Sequence, residues 1–155
     1  MKTAALQKTT VQKTTDELAH EIKTATDIED YLVRNQEHLF SDGNLSQHLN
    51  MLLKQKHLSR ADVVRGSLLD RAYVYQIFSG EKSPSRDKLI ALAFGLRLSD
   101  EETQKMLKLS CSRELYAREE RDALILFALQ HDMTIMSAND LLFKHNFSVL
   151  GCPKE

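Results

Sequence analysis

The sequence has little of what interrupts helices. Only five glycines and two prolines occur among its 155 residues, while hydrophobic residues make up 42%. This scarcity excludes a low-complexity chain and argues against an all-β fold, which needs many turns. A chain of this length can bury a substantial core, so we expect one main domain with additional segments.

Cysteine and long apolar runs are also scarce. The two cysteines, Cys111 and Cys152, form no CxxC pair, so we expect no disulfide framework. No apolar run approaches the length of a membrane span, and the first residues lack the apolar core of a signal peptide. These absences predict a cytoplasmic protein without a membrane partner.

Motifs that carry catalysis or bind metals are absent as well. The six histidines include no pair four residues apart and have no cysteines at ligand spacing. P-loop, GxGxxG, HExxH and GxSxG patterns are missing too. We therefore expect that the protein is not an enzyme and that it has no catalytic residue, no cofactor and no metal site.

What the sequence does have is a basic middle. Residues 45–98 contain nine Lys and Arg against four acidic residues, whereas residues 1–44 contain five against eight and residues 99–155 seven against ten. The net charges are therefore +5, −3 and −3. A basic segment between acidic flanks is typical of a module that faces phosphate groups.

Apolar residues recur at helical spacing, and no segment alternates with period two, so an all-α protein is predicted. Residues 1–15 are rich in Thr and predict a flexible tail. A helical extension is expected over residues 16–44, with a turn at residues 41–44. The main domain then covers residues 45–110. A C-terminal helical pair over residues 111–155 would complete the core or form a dimer interface.

Capping residues predict where several helices begin. Ser59 is a suitable N-cap with Asp62 three residues later, and Ser99 has the same relation to Glu102. Further helix starts are predicted at Asp70, Ser85 and Thr134. Gly80 is expected to end the helix that starts after Asp70. The first C-terminal helix is predicted over residues 117–131.

One stretch has the spacing of two short helices joined by a tight turn. Its positions are Ser59, Val63, Val74, Ile77, Gly80, Pro84 and Leu89. Residues 58–89 resemble, without a gap, the helix-turn-helix of the phage-repressor and Cro-like (XRE) family. With the neighbouring helices, the resemblance covers about residues 45–110. It implies a five-helix lambda-repressor-like domain, carried here with extra N- and C-terminal helices.

The resemblance also implies residue roles. Helix 70–79 would enter the major groove. Residues at the family's base-contact positions are Arg71, Ala72 and Gln76, with Tyr75 adjoining them. Arg can form bidentate hydrogen bonds with guanine, and Gln can form them with adenine. Phosphate contacts are expected from Arg60, Ser79 and Lys82, which would set the register without reading bases.

Some positions depart from the family pattern. Val64 replaces a small residue and Leu68 replaces the usual turn glycine, so the turn must be less favourable or shifted by one residue. Asp70 caps the reading helix but adds negative charge near the groove. Phe78 replaces a commonly polar residue and is expected to be an exposed anchor.

The resemblance implies a sequence-specific transcriptional regulator that binds double-stranded DNA. We expect it to act as a homodimer, through the N-terminal helices, the C-terminal helices or both, because one module buries little surface. The alternative is a helix-turn-helix fold used as a protein-interaction adaptor or as an antitoxin. A regulatory kinase is a minority hypothesis, with phosphorylation in the tail at Thr9, Thr10, Thr14 or Thr15.

Overall fold

The computed structural model describes residues 13–35 and 42–151, with residues 42–44 described by their backbone alone. Across these ranges the protein is all-helical, which confirms the predicted all-α class. The helices are α1 (Thr15–Thr24), α2 (Ile28–Arg34), α3 (Asp42–Gln55), α4 (Arg60–Ser67), α5 (Arg71–Ser79), α6 (Arg86–Gly95), α7 (Asp100–Leu109), α8 (Glu120–Gln130) and α9 (Ile135–Lys144).

The chain divides into two compact units, Met1–Phe40 and Ser41–Glu155. In the first, α1 begins with a capping box in which Thr14 and Glu17 satisfy each other's backbone amides. Thr14 and Thr15, the last residues of the predicted tail, therefore cap and begin a helix. The tail's first twelve residues, with Thr9 and Thr10, lie outside the described residues.

Helix α6 is the centre of the second unit. Every residue from Leu89 to Gly95 is buried, so this part of the helix has no exposed polar face and shows no amphipathic pattern. Helix α4 approaches it closely at Gly95, where an added Cβ would lie 2.7 Å from the carbonyl oxygen of Val63. Glycine at this crossing therefore lets the two backbones touch.

The two C-terminal helices share this core. Ile125 and Leu129 of α8 and Ile135 and Leu142 of α9 belong to the same buried cluster as the residues of α3–α7. Residues 147–151, the C-terminal strap, add the fully buried Leu150. The predicted role of this region in dimerisation remains a prediction.

The predicted caps are largely confirmed. Ser59 with Asp62 and Ser99 with Glu102 form complete capping boxes. The Asp70 and Thr134 side chains also accept hydrogen bonds from the first turns of their helices. Gly80 ends α5 in the left-handed conformation, as predicted. Ser85 occupies the N-cap position of α6, but its side chain makes no capping hydrogen bond.

Two predicted boundaries are wrong. Residues 42–44 form the first turn of α3 and not a separate turn. A glycine costs a helix only about 1 kcal/mol, which is too little to prevent the first turn from forming here. Helix α8 begins at Glu120, three residues later than predicted, because residues 117–119 form a turn in which the amide of Glu119 donates to the carbonyl of Tyr116 at 3.0 Å. Arg86 holds the preceding segment through the carbonyls of Arg113 and Glu114.

Within residues 13–35 and 42–151, no helix is long and apolar enough to cross a membrane. The same residues contain no cluster of three or more His, Cys, Asp or Glu side chains arranged to hold a metal ion. Cytoplasmic localisation stays a prediction.

Candidate nucleic-acid interface

The link between α4 and α5 consists of Leu68, Leu69 and Asp70. Leu68 adopts the left-handed conformation, with φ 60° and ψ 20°, and its amide donates to the carbonyl of Val64 at 3.2 Å. The Asp70 carboxylate then accepts the amide of Tyr73 at 3.3 Å and starts α5. The turn therefore lies at Leu68, where the resemblance would place a glycine, without the one-residue shift.

The inner face of α5 is apolar. Val74, Ile77 and Phe78 are all buried, so the prediction of an exposed Phe78 is wrong. The Phe78 carbonyl accepts two hydrogen bonds from α3, one from the Ser46 hydroxyl at 2.8 Å and one from the Asn50 amide at 2.9 Å. These bonds fix the end of α5 to α3, and the burial of the apolar face leaves the opposite face of α5 exposed.

The outer face of α5 carries the predicted base-contact residues. Arg71, Ala72 and Tyr75 are exposed, and Gln76 is partly buried. The side chain of Gln76 makes no hydrogen bond within the described residues, so its amide is available for recognition. These four residues occupy the first and second turns of one helix.

Two arginines lie over the ring of Tyr75. The guanidinium carbon of Arg60, at the start of α4, is 5.4 Å from the ring centroid, and that of Arg71 is 5.8 Å away. Both distances are within the range of cation–π attraction. Arg60 therefore lies beside the predicted base-contact residues, although the resemblance implies a phosphate contact for it.

Ser79 and Lys82 lie at the other end of α5. The Ser79 hydroxyl donates to the backbone carbonyl of Gln76 at 3.0 Å, and the amide of Lys82 donates to the same oxygen at 3.2 Å. Within the described residues, neither Lys82 nor the two arginines over Tyr75 has a carboxylate within 4 Å. The structure thus brings all seven predicted site residues to α5 and its two ends.

Two groups on α4 and α5 have shifted pKa values. The amide of Ser59 donates to the Asp62 carboxylate and holds its pKa below the usual value, with help from Arg65. Burial raises the pKa of Tyr73, and the Lys88 ammonium lies 5.5 Å from the centroid of its ring. Lys88 belongs to the basic middle of the sequence, but only the tertiary structure places it beside α5.

Substitutions in the left-handed turn can separate the contribution of side-chain packing to stability from that of backbone strain. We expect Leu68→Gly to change the free energy of unfolding by about 1 kcal/mol or less, because relief of the left-handed strain offsets the loss of a half-buried side chain. Leu69→Ala, at a 4% exposed neighbour, should cost about 2–4 kcal/mol. Urea unfolding measures both. Equal losses at the two sites would contradict this account of the turn.

Comparison with family models, with curated proteins and with solved structures finds no match for this chain. Its function must therefore be inferred from its own residues.

Proposed function

We propose that this protein is a sequence-specific DNA-binding regulator of the phage-repressor and Cro-like helix-turn-helix type. In this proposal, residues 45–110 form a lambda-repressor-like domain that inserts α5 into the major groove of double-stranded DNA. Arg71, Ala72, Tyr75 and Gln76 contact the bases. Ser79, Lys82 and Arg60 contact phosphates, and the protein acts as a homodimer in transcription regulation.

The main support for this proposal is the position of two arginines at the ring of Tyr75. Arg60 and Arg71 come from two different helices, meet over the ring of Tyr75 and have no acidic partner among the described residues. Unpaired cations beside an exposed helix face suit a phosphate-lined groove, where charge neutralisation releases counterions. Cation–π attraction holds both guanidinium groups at the ring of Tyr75, and Arg71 also donates a hydrogen bond to the Tyr75 hydroxyl at 3.4 Å.

A second candidate is a protein-interaction adaptor or antitoxin with the same fold. Exposed apolar side chains on α8 and α9 favour it, since Phe127 is 47%, Met136 62% and Phe143 76% exposed. The burial of Phe78 removes the anchor that the sequence placed on α5. The adaptor would use the C-terminal helices and would not depend on Arg71.

Selection of binding sites from a random duplex pool tests the proposal. We expect one enriched motif, with affinity that falls steeply when salt is raised from about 50 to about 200 mM. A two-fold symmetric motif, with half-sites about one helical turn apart, would report the dimer. Absence of any enriched motif would contradict the proposal and favour the adaptor.

Substitutions separate base reading from general attraction to phosphate. Arg71→Ala should lower affinity for the selected site by about 10- to 100-fold and relax the sequence preference at one position. Lys82→Ala should weaken binding to all sequences and reduce the salt slope by about 1. The matched control is Arg118→Ala, which removes the same charge from an exposed residue that belongs neither to α5 nor to the proposed site. An equal loss with Arg118→Ala would show that only net charge matters.

A further inference from the structure

A cavity of about 590 Å³ lies in the second unit, away from the outer face of α5. Helix α4, the C-terminal half of α6 and the turn between α8 and α9 form its walls. None of the seven residues proposed to contact DNA lines it. Small-molecule sites in proteins have volumes of about 300–1,000 Å³, so the cavity has a suitable size for a metabolite.

Part of the lining is apolar. Phe94 of α6, Leu129 of α8 and Ile135 of α9 are buried residues that line the cavity. Two methionines from the α8–α9 turn and the start of α9 complete this wall, Met133 and the 62% exposed Met136. Because methionine is unbranched and adaptable, this side of the cavity can adjust to the apolar body of a ligand.

Four charged residues also line the cavity, and only two of them are paired with each other. Arg65 and Asp62 form an ion pair with each other. Arg97, after α6, and Asp132, after α8, also line the cavity and are exposed. Neither of their side chains makes an ion pair or hydrogen bond in the ranges that the structure describes, and they are not paired with each other.

An unpaired guanidinium suits a carboxylate, which it can bind through two parallel hydrogen bonds. An unpaired carboxylate suits an ammonium group. A simple organic anion would place a negative charge beside Asp132. A simple amine would place a positive charge beside Arg97. A ligand that carries both groups beside an apolar body satisfies both residues and the apolar wall.

We propose that this cavity binds a free α-amino acid with a large apolar side chain. Arg97 holds the carboxylate, Asp132 holds the ammonium, and the side chain of the ligand packs against Phe94, Leu129 and the two methionines. Binding is measured on the protein without DNA, so its outcome does not depend on the proposed regulatory function.

Calorimetric titration of the full chain tests the class of ligand. The probes are L-phenylalanine, L-leucine and L-methionine, with 3-phenylpropanoate and phenethylamine as analogues that each lack one charge. We expect at least one amino acid to bind saturably, and L-phenylalanine to bind about tenfold more tightly than either analogue. NMR shifts at the amides of Gly66 and Gly95, which line the cavity, should follow the same isotherm.

Substitutions assign the two charged groups. In Arg97→Gln, L-phenylalanine should no longer bind more tightly than phenethylamine, which lacks the carboxylate. In Asp132→Asn, L-phenylalanine should no longer bind more tightly than 3-phenylpropanoate, which lacks the ammonium group. The controls Arg118→Gln and Asp140→Asn alter exposed residues outside the cavity and should leave both advantages intact. The proposal is overturned if none of the three amino acids binds, if the analogues bind equally well, or if binding survives both substitutions.

Discussion

Replacing Asp122 with alanine should cost about 3–5 kcal/mol of unfolding free energy, because it removes one partner of a buried ion pair. The Asp122 side chain is 2% exposed and accepts hydrogen bonds from Arg86 and from the amide of Tyr116, both at 2.9 Å. Its loss leaves the Arg86 guanidinium, 19% exposed, without its counter-charge and the Tyr116 amide without an acceptor. Urea unfolding followed by circular dichroism measures the loss.

A second ion pair between the same two helices supplies the control. Arg121 of α8 binds Asp87 of α6 through two hydrogen bonds at 3.0 and 3.1 Å, but the Asp87 side chain is 49% exposed. Asp87→Ala should therefore cost about 1 kcal/mol or less, because solvent can replace the lost contact. If the two variants lost similar amounts of unfolding free energy, burial would not be the reason that the Asp122 ion pair stabilises the fold.

Gly151→Ala is expected to cost about 3 kcal/mol, because the C-terminal strap cannot accept a side chain there. Gly151 has φ +70°, and an added Cβ would lie 2.2 Å from the carbonyl oxygen of Ser67. The strap must then move, which exposes part of Leu150 and releases the two hydrogen bonds that the Asn139 amide makes to the Leu150 backbone.

Gly80→Ala separates this clash from conformational strain. Gly80 also has a positive φ, of +90°, but its nearest neighbour would be the Ser46 side chain at 3.7 Å. We expect a loss of about 1 kcal/mol there, from the left-handed conformation alone. If Gly151→Ala cost no more than Gly80→Ala, the close packing of the strap on the α4–α5 link would be disproved.

Helix beginnings were predictable because they depend on short-range hydrogen bonds. The capping boxes at Ser59 and Ser99 each join residues three positions apart. Such a cap can be predicted because it needs no contact with a distant part of the chain. The buried stripe of α5 was only half predicted. Val74 and Ile77 have the helical spacing of an inward face, whereas Phe78 is expected outside because the resembled family has a polar residue there.

Helix ends were harder to predict because so few of them use glycine. His57, Arg97, Cys111, Asp132 and Asn146 adopt the left-handed conformation after their helices. At Arg97, the bond from the amide of Leu98 to the carbonyl of Ala93 closes the helix at 2.9 Å, and Leu98 is buried. Packing of the following apolar residue therefore stabilises an ending that the local sequence does not favour.

The sequence by itself determined the all-helical class, the position of most caps and the basic middle that contains Arg60 and Arg71. These features depend on composition and on contacts within three or four residues. Only the tertiary structure decided that Arg60 reaches the ring of Tyr75, that Asp122 pairs with Arg86, and that Arg97 and Asp132 share a cavity. The physical reason is that such contacts join residues far apart in the chain, and the packing of helices around α6 selects them.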